Sequence, residues 1–140
     1  MTMEEQVQAY KEDLELLPDK DTKMEYILDF GKEATKLDEK CKTDENIIKG
    51  CSSLAWLHKE CREGRLILKA EGDSIIAKGM LVMLLEIFNN RTADEILAFD
   101  TKKLMSMGVM ELLSPVRQQG MEAFLSVIYD FAKKCKQEQK

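Results

Sequence analysis

The chain has no long hydrophobic run, and this argues against a membrane-spanning helix. Its longest apolar stretch, 75–88, is interrupted by Lys78 and Glu86 and falls short of the roughly 20 residues that a bilayer requires. Glu4 and Glu5 stand near the start with no apolar segment after them, so we expect no signal peptide. These features predict a cytoplasmic protein without a membrane partner.

The chain also lacks an excess of basic residues and a glycine-rich loop. Lysine and arginine number 21 against 26 aspartate and glutamate, which gives a net charge of -5. Binding to nucleic acid needs a basic face, so we expect no nucleic-acid partner. The seven glycines lie far apart, and no phosphate-cradling motif is present.

Closely spaced metal ligands are missing as well. The four cysteines are Cys41, Cys51, Cys61 and Cys135. Zinc motifs bring two cysteines within two to four residues of each other, so we expect no metal site. In the cytosol we expect all four to be reduced thiols, with Cys135 on the apolar face of a helix in the core.

The hydrophobic pattern predicts a single α+β domain over 1–140. Two helices come first, the first of them capped by Thr2 with Glu5. A short strand over 46–49 and a hairpin of 53–61 with 65–71 then form a three-stranded antiparallel sheet. Several helices follow: a central apolar one over 75–88, two short ones capped at Thr92 and Asp100, and a last one beginning at Ser114–Pro115.

Cys51 is the strongest candidate for chemistry. It follows Gly50 and precedes Ser52 and Ser53, in a tight loop between two extended segments. A thiolate there can attack a persulfide sulfur by the displacement that underlies thiol–disulfide exchange. With a reference pKa near 8.5, only about 3% of a thiol is ionised at pH 7. Without further context, a small packed hydrophobic residue is the more common interpretation of Cys51.

His58 is the only histidine, and with Cys51 it suggests a thiol hydrolase dyad. Seven residues of strand span about 23 Å. No third orienting group stands at a recognisable spacing. We therefore interpret His58 as a partly exposed strand residue and keep the hydrolase as an alternative.

Several separated motifs resemble the SufE family. The segment around the cysteine resembles the family pattern N-x-x-x-G-C-x-S-x-V/A-W, and further motifs follow in the family order. Ala93 stands where proline is usual, and Val116 stands where serine is common. The matching segments are 44–46, 48–56, 64–66, 73–79, 92–97 and 113–121.

The resemblance implies that the protein is not itself an enzyme but a sulfur acceptor and activator of a cysteine desulfurase. Cys51 would carry sulfur as a persulfide for iron–sulfur cluster assembly. The implied partners are a SufS-type desulfurase, which holds pyridoxal phosphate, and a SufBCD-type scaffold complex. No cofactor of its own is implied. Partner binding or support of the cysteine loop would fall to Gly50, Ser53, Trp56, Asp73, Lys78 and Arg117.

Two points remain open at this level. We hypothesise that Cys51 rests in an apolar pocket lined by Trp56 and the helix from Ile75, which would limit its oxidation. The alternative function is an IscU-like scaffold for a nascent cluster, which needs three cysteines converging with a histidine or aspartate. Cys41 and Cys61 lie outside the family motifs, and they leave open whether a second thiol handles sulfur.

Overall fold

The structure, a computed structural model, describes residues 1–34, 36–48 and 55–138. Over those residues it contains six α-helices and a three-stranded antiparallel sheet, which confirms the α+β prediction. The helices are α1 (Met3–Glu15), α2 (Lys20–Lys32), α3 (Ile75–Phe88), α4 (Ala93–Ala98), α5 (Lys102–Met105) and α6 (Pro115–Glu138). The strands are β1 (Ala55–Arg62), β2 (Arg65–Gly72) and β3 (Arg91–Thr92), and short 3-10 turns cover Glu39–Cys41, Asp44–Asn46 and Met110–Leu112.

The two N-terminal helices begin where the sequence predicts. Thr2 and Glu5 form the expected capping box, because each side chain accepts a hydrogen bond from the other residue's backbone N–H. Asp19 caps α2 by accepting from the N–H of Thr22. Both caps satisfy backbone donors that a helix start leaves without a partner.

A tight hairpin joins β1 to β2. The two strands pair from Ala55 opposite Gly72 to Arg62 opposite Arg65, and only Glu63 and Gly64 connect them. Both connecting residues have positive φ, 50° and 80°, as a two-residue turn that matches the strand twist requires. The predicted turn is therefore confirmed.

The third strand lies elsewhere than predicted. β3 pairs with β2 through Arg65 and Leu66. The prediction of a strand over 46–49 is wrong for residues 46–48, which are the part of it that the structure describes. Ile47 makes a single bridge with Trp56. The 3-10 turn Asp44–Asn46 comes directly before Ile47, so the backbone curls away before a ladder can extend.

Helix α3 is the central element, as its apolar composition predicts. Ser74 caps it by accepting from the N–H of Ala77 at 3.2 Å. Seven of its residues are buried, since α3 packs against α2 and against β2. At its end, Phe88 makes edge-to-face ring contacts with Phe99 and Tyr129, and these join α3 to the C-terminal helices.

Helix α6 begins with proline at its first position, and the Oγ of Ser114 accepts a hydrogen bond from the N–H of Arg117 at 3.3 Å. The spacing of its apolar residues predicts a buried stripe on this helix, and every member is buried except Leu125, which is half-buried. The buried members are Met121, Phe124, Ile128, Ala132 and Cys135. Among the described residues, no helix combines the length and the apolarity needed to cross a bilayer.

The cysteine prediction needs a correction. Cys135 is buried in the core as expected, at 1% exposure. It is bonded to Cys61, so the expectation of four reduced thiols is wrong for this pair. The two lie 74 residues apart, and their Cα atoms are 5.7 Å from each other. Only the packing of α6 beside β1 brings them together, and no sequence spacing indicates it.

Candidate functional site

The ends of the segment 49–54 meet at one edge of the sheet. The N–H of Ile48 donates to the carbonyl of Ala55 at 2.9 Å, so the two residues that flank this segment are adjacent in space. The expectations for Gly50, Cys51 and Ser53 concern residues outside the described part of the chain. What surrounds both ends of the segment is nevertheless well defined.

A cleft opens at this place. Ile48 and Ala55 form one side of it. Helix α3 contributes Ala77, Met80, Leu81 and Leu84, and α6 contributes Arg117, Gly120, Met121 and Phe124. Nine of the ten lining residues carry no polar side-chain group, so the cleft offers an apolar enclosure beside both ends of the cysteine segment.

Arg117 is the one charged residue among those ten. It lies in the first turn of α6, where Ser114 holds its backbone N–H, and its side chain is half-buried. A guanidinium stays charged at every physiological pH, and a nearby cation lowers a thiol's pKa. This end of the cleft can therefore attract a sulfur anion or an acidic group of another protein.

Trp56 lies on the other face of β1, since Ala55 and Leu57 are its buried neighbours. It is not among the described residues that line the cleft, whereas the helix from Ile75 lines it as hypothesised. Instead, the Nζ of Lys42 lies 5.5 Å from the centre of the Trp56 ring, within the range of a cation–π interaction.

Lys42 also anchors the segment that leads to residue 49. Its Nζ lies 2.7 Å from an Oε of Glu71, whose other Oε accepts from the N–H of Leu37 at 2.8 Å. The hydrogen bond from Lys42 lowers the pKa of the Glu71 carboxyl below its usual value. The same bond raises the pKa of Lys42. Together these contacts fix the segment 36–48 on the sheet.

Asp73 and Lys78 do not line the cleft that contains Arg117. Asp73 is exposed between β2 and α3. Lys78 lines a second cleft, together with Glu71 and Gly72, and its charge contributes to the lowered pKa of Glu71. The two clefts share Leu81, so Lys78 lies on the neighbouring side of α3.

His58 follows Trp56 by two residues and is half-buried on the same face of β1. Its Nε2 lies 2.9 Å from an Oε of Glu60, and this contact, with Arg62 beyond it, lowers the pKa of the Glu60 carboxyl. The histidine is thus engaged on the face of the strand that points away from the cleft. This placement gives no support to a dyad with a residue at the cleft.

The sequence alone missed Lys42, Glu71 and the α6 wall of the cleft. Lys42 and Glu71 are far apart in the chain and carry no local signal. The α3 wall agrees with the hypothesis of an apolar pocket lined by the helix from Ile75, whereas the apolar residues of α6 were expected only to pack. The one available signal is that α3 is apolar on every side, which allows some of its surface to face a cleft instead of the core.

Comparison with known proteins gives a family. The model of the SufE family, described as the Fe-S metabolism associated domain, matches residues 8–132. The chain is 32% identical over 107 residues to SufE-like protein 1, chloroplastic/mitochondrial, of Arabidopsis thaliana. That match covers 76% of this chain and 29% of the relative, so the chain spans less than a third of that protein's length.

Among known structures, the chain is similar to the solution structure of a hypothetical protein from Thermus thermophilus. The TM-score is 0.76, and the similarity covers 94% of this chain and 96% of the other. Sequence identity is 16%. The likeness therefore shows a shared fold and carries no further statement about activity.

Proposed function

The chain belongs to the SufE family, which ties it to Fe-S metabolism, and from that membership we propose that it accepts sulfur from a cysteine desulfurase on Cys51. The observation that supports this most is the apolar cleft with Arg117 at its wall, at the place where the segment 49–54 begins and ends. A cytoplasmic location and delivery to a SufBCD-type scaffold are further parts of the proposal.

The proposed transfer is a single displacement. The Cys51 thiolate attacks the outer sulfur of a persulfide on a cysteine of the desulfurase. The bond between the two partner sulfurs breaks, and the partner's cysteine leaves as a thiolate. Cys51 then holds the sulfur as a persulfide, no electrons are gained or lost overall, and the partner is ready for another turnover.

The cleft suggests how such a cargo is protected. An apolar surrounding raises a thiol's pKa, so a sulfur held there is more protonated and less open to oxidants. We propose that the segment 49–54 rests against the cleft and moves outward when the desulfurase docks. In that arrangement Arg117 contributes to docking and attracts the sulfur anion.

The alternative functions have less support. A cluster scaffold needs three cysteines and a further ligand, yet Cys61 and Cys135 are bonded to each other, which leaves at most two free thiols. A hydrolase would need His58 beside Cys51, and His58 is paired with Glu60 on the opposite face of β1.

Intact mass spectrometry tests the acceptor proposal directly. The chain is mixed with a SufS-type desulfurase and cysteine without a reductant. We expect a gain of about 32 Da, one sulfur atom, on the chain, and its absence in Cys51→Ser. Cys41→Ser is the matched control and should keep the adduct. A gain that persists in Cys51→Ser would contradict the proposal.

Arg117→Ala tests the docking role. Because Arg117 lies at the cleft wall and not in the core, we expect the substitution to weaken binding to the desulfurase in titration calorimetry more than it lowers the urea midpoint. Arg62→Ala is the matched control, since Arg62 is exposed at the far end of β1. Equal affinity of Arg117→Ala and the unmodified chain would remove Arg117 from the interface.

A further inference from the structure

The disulfide between Cys61 and Cys135 is a feature that the proposed function does not use. Cys61 is in β1 and Cys135 is near the end of α6. Their Cα separation of 5.7 Å falls within the range that a disulfide spans without backbone movement. The two cysteines are therefore positioned for a disulfide within the fold as it stands.

The bond is far from the cleft. Cys135 follows Arg117 by 18 residues of continuous helix, which corresponds to about 27 Å. Cys61 follows Ala55 by six residues of strand, which corresponds to about 20 Å. The disulfide thus joins the ends of β1 and α6 that are opposite to the sulfur-handling end.

We propose that Cys61 and Cys135 form a reversible redox site that responds to a small-molecule disulfide of the glutathione type. In the oxidising direction the Cys61 thiolate attacks the small disulfide, forms a mixed disulfide and releases one thiol. Cys135 then displaces the second thiol. The protein loses two electrons and two protons, and the small disulfide becomes two thiols.

The order of these steps follows from exposure. Cys61 is half-buried, whereas Cys135 is 1% exposed, so an external reagent reaches the sulfur of Cys61 first. In the reducing direction, attack on Cys61 must expel a Cys135 thiolate into an apolar surrounding, where burial disfavours the anion. Reduction is therefore slow unless the end of α6 opens.

Oxidation has two consequences. It closes a loop that spans 74 residues of sequence, which restricts the unfolded chain and stabilises the folded one. It also withdraws two of the four thiols from exchange with sulfur compounds. Among the described cysteines only Cys41 then remains free, so sulfur chemistry concentrates at Cys41 and Cys51.

A glutathione titration tests the site without any desulfurase, so its outcome is independent of the acceptor proposal. The full chain carrying Cys41→Ser and Cys51→Ser is equilibrated with reduced and oxidised glutathione at graded ratios. It is then quenched with an alkylating reagent under denaturing conditions, which expose Cys135, and its mass is measured. We expect a graded change from two alkylated thiols to none. The control is the same chain with Cys61→Ser added. It cannot form the internal disulfide, so Cys135 should not be lost from alkylation by pairing with Cys61.

Two outcomes would overturn the proposal. One is a pair that stays fully reduced at every ratio, and the other is a pair that stays oxidised even in excess thiol, which would make the bond permanent. Thermal unfolding supplies the second measurement. Oxidation should raise Tm by roughly 10 °C, and an equal Tm for the oxidised and reduced chains would also overturn it.

Discussion

At the scale of single residues, glycines set how closely α2 and α3 approach. A Cβ at Gly79 would overlap the carbonyl oxygen of Ile27, and one at Gly31 would lie 2.5 Å from the carbonyl oxygen of Ile75. Real Cβ atoms do not come that near to backbone oxygen. Gly79, the last residue of the motif 73–79, is therefore explained by the close contact of α2 with α3.

Gly79→Ala tests this packing, because two effects have opposite signs. Helix propensity alone would stabilise the variant by about 1 kcal/mol. The overlap with Ile27 should outweigh that gain and leave the variant about 2 kcal/mol less stable. Urea unfolding measures the difference. Ser126→Ala, at an exposed position of α6, is the control and should be neutral or slightly stabilising; a stabilised Gly79→Ala would refute the close approach.

Local signals carried much information at the residue scale. The cap at Thr2 was predicted because it depends on a neighbour three residues away. The bond between Cys61 and Cys135 was not, because it depends on two elements 74 residues apart. Cysteine spacing says nothing about which strand and helix will pack side by side.

At the scale of elements, the hairpin and the central helix were predictable and the third strand was not. Alternation and a turn signal define β1 and β2, and apolar composition defines α3. β3 has two residues, too few for any alternation to show. The segment 36–48 has no regular pattern either, and its position depends on the contacts of Glu71 with Lys42 and Leu37.

Glu71→Gln should loosen this segment in a pH-dependent way. Because the folded pKa of Glu71 is lowered, its stabilising effect is present above the unfolded value near 4.5 and is lost as pH falls through the folded pKa. We expect the variant to melt a few degrees below the unmodified chain at pH 7, and the gap to close below about pH 4. Thermal unfolding across this range measures it.

The control for that experiment is Glu95→Gln, an exposed side chain on α4. It should leave Tm nearly unchanged at both pH values, since surface charges contribute little. If the difference in Tm between Glu71→Gln and the unmodified chain is the same at pH 7 and pH 3.5, then the charge of Glu71 does not hold the segment 36–48 in place.

At the scale of the whole molecule, the cleft and the disulfide lie at opposite ends of β1 and α6. The family motifs pointed to Cys51 and Arg117 from sequence alone. They could not indicate the cleft, because its walls come from three separate parts of the chain. Those parts converge only when α3 and α6 pack beside the paired ends of the segment 49–54.

Filling the cleft tests whether the whole arrangement protects Cys51. Ala77 is half-buried in the cleft wall on α3, so Ala77→Leu should occupy the space without entering the core. If the segment 49–54 rests there, the larger side chain displaces it, and iodoacetamide should alkylate Cys51 several times faster. Ala98→Leu, exposed on α4, is the matched control and should leave the rate unchanged. An unchanged rate in Ala77→Leu, with an intact fold by circular dichroism, would mean that the cleft does not shelter Cys51 and that its protection must come from the segment's own backbone.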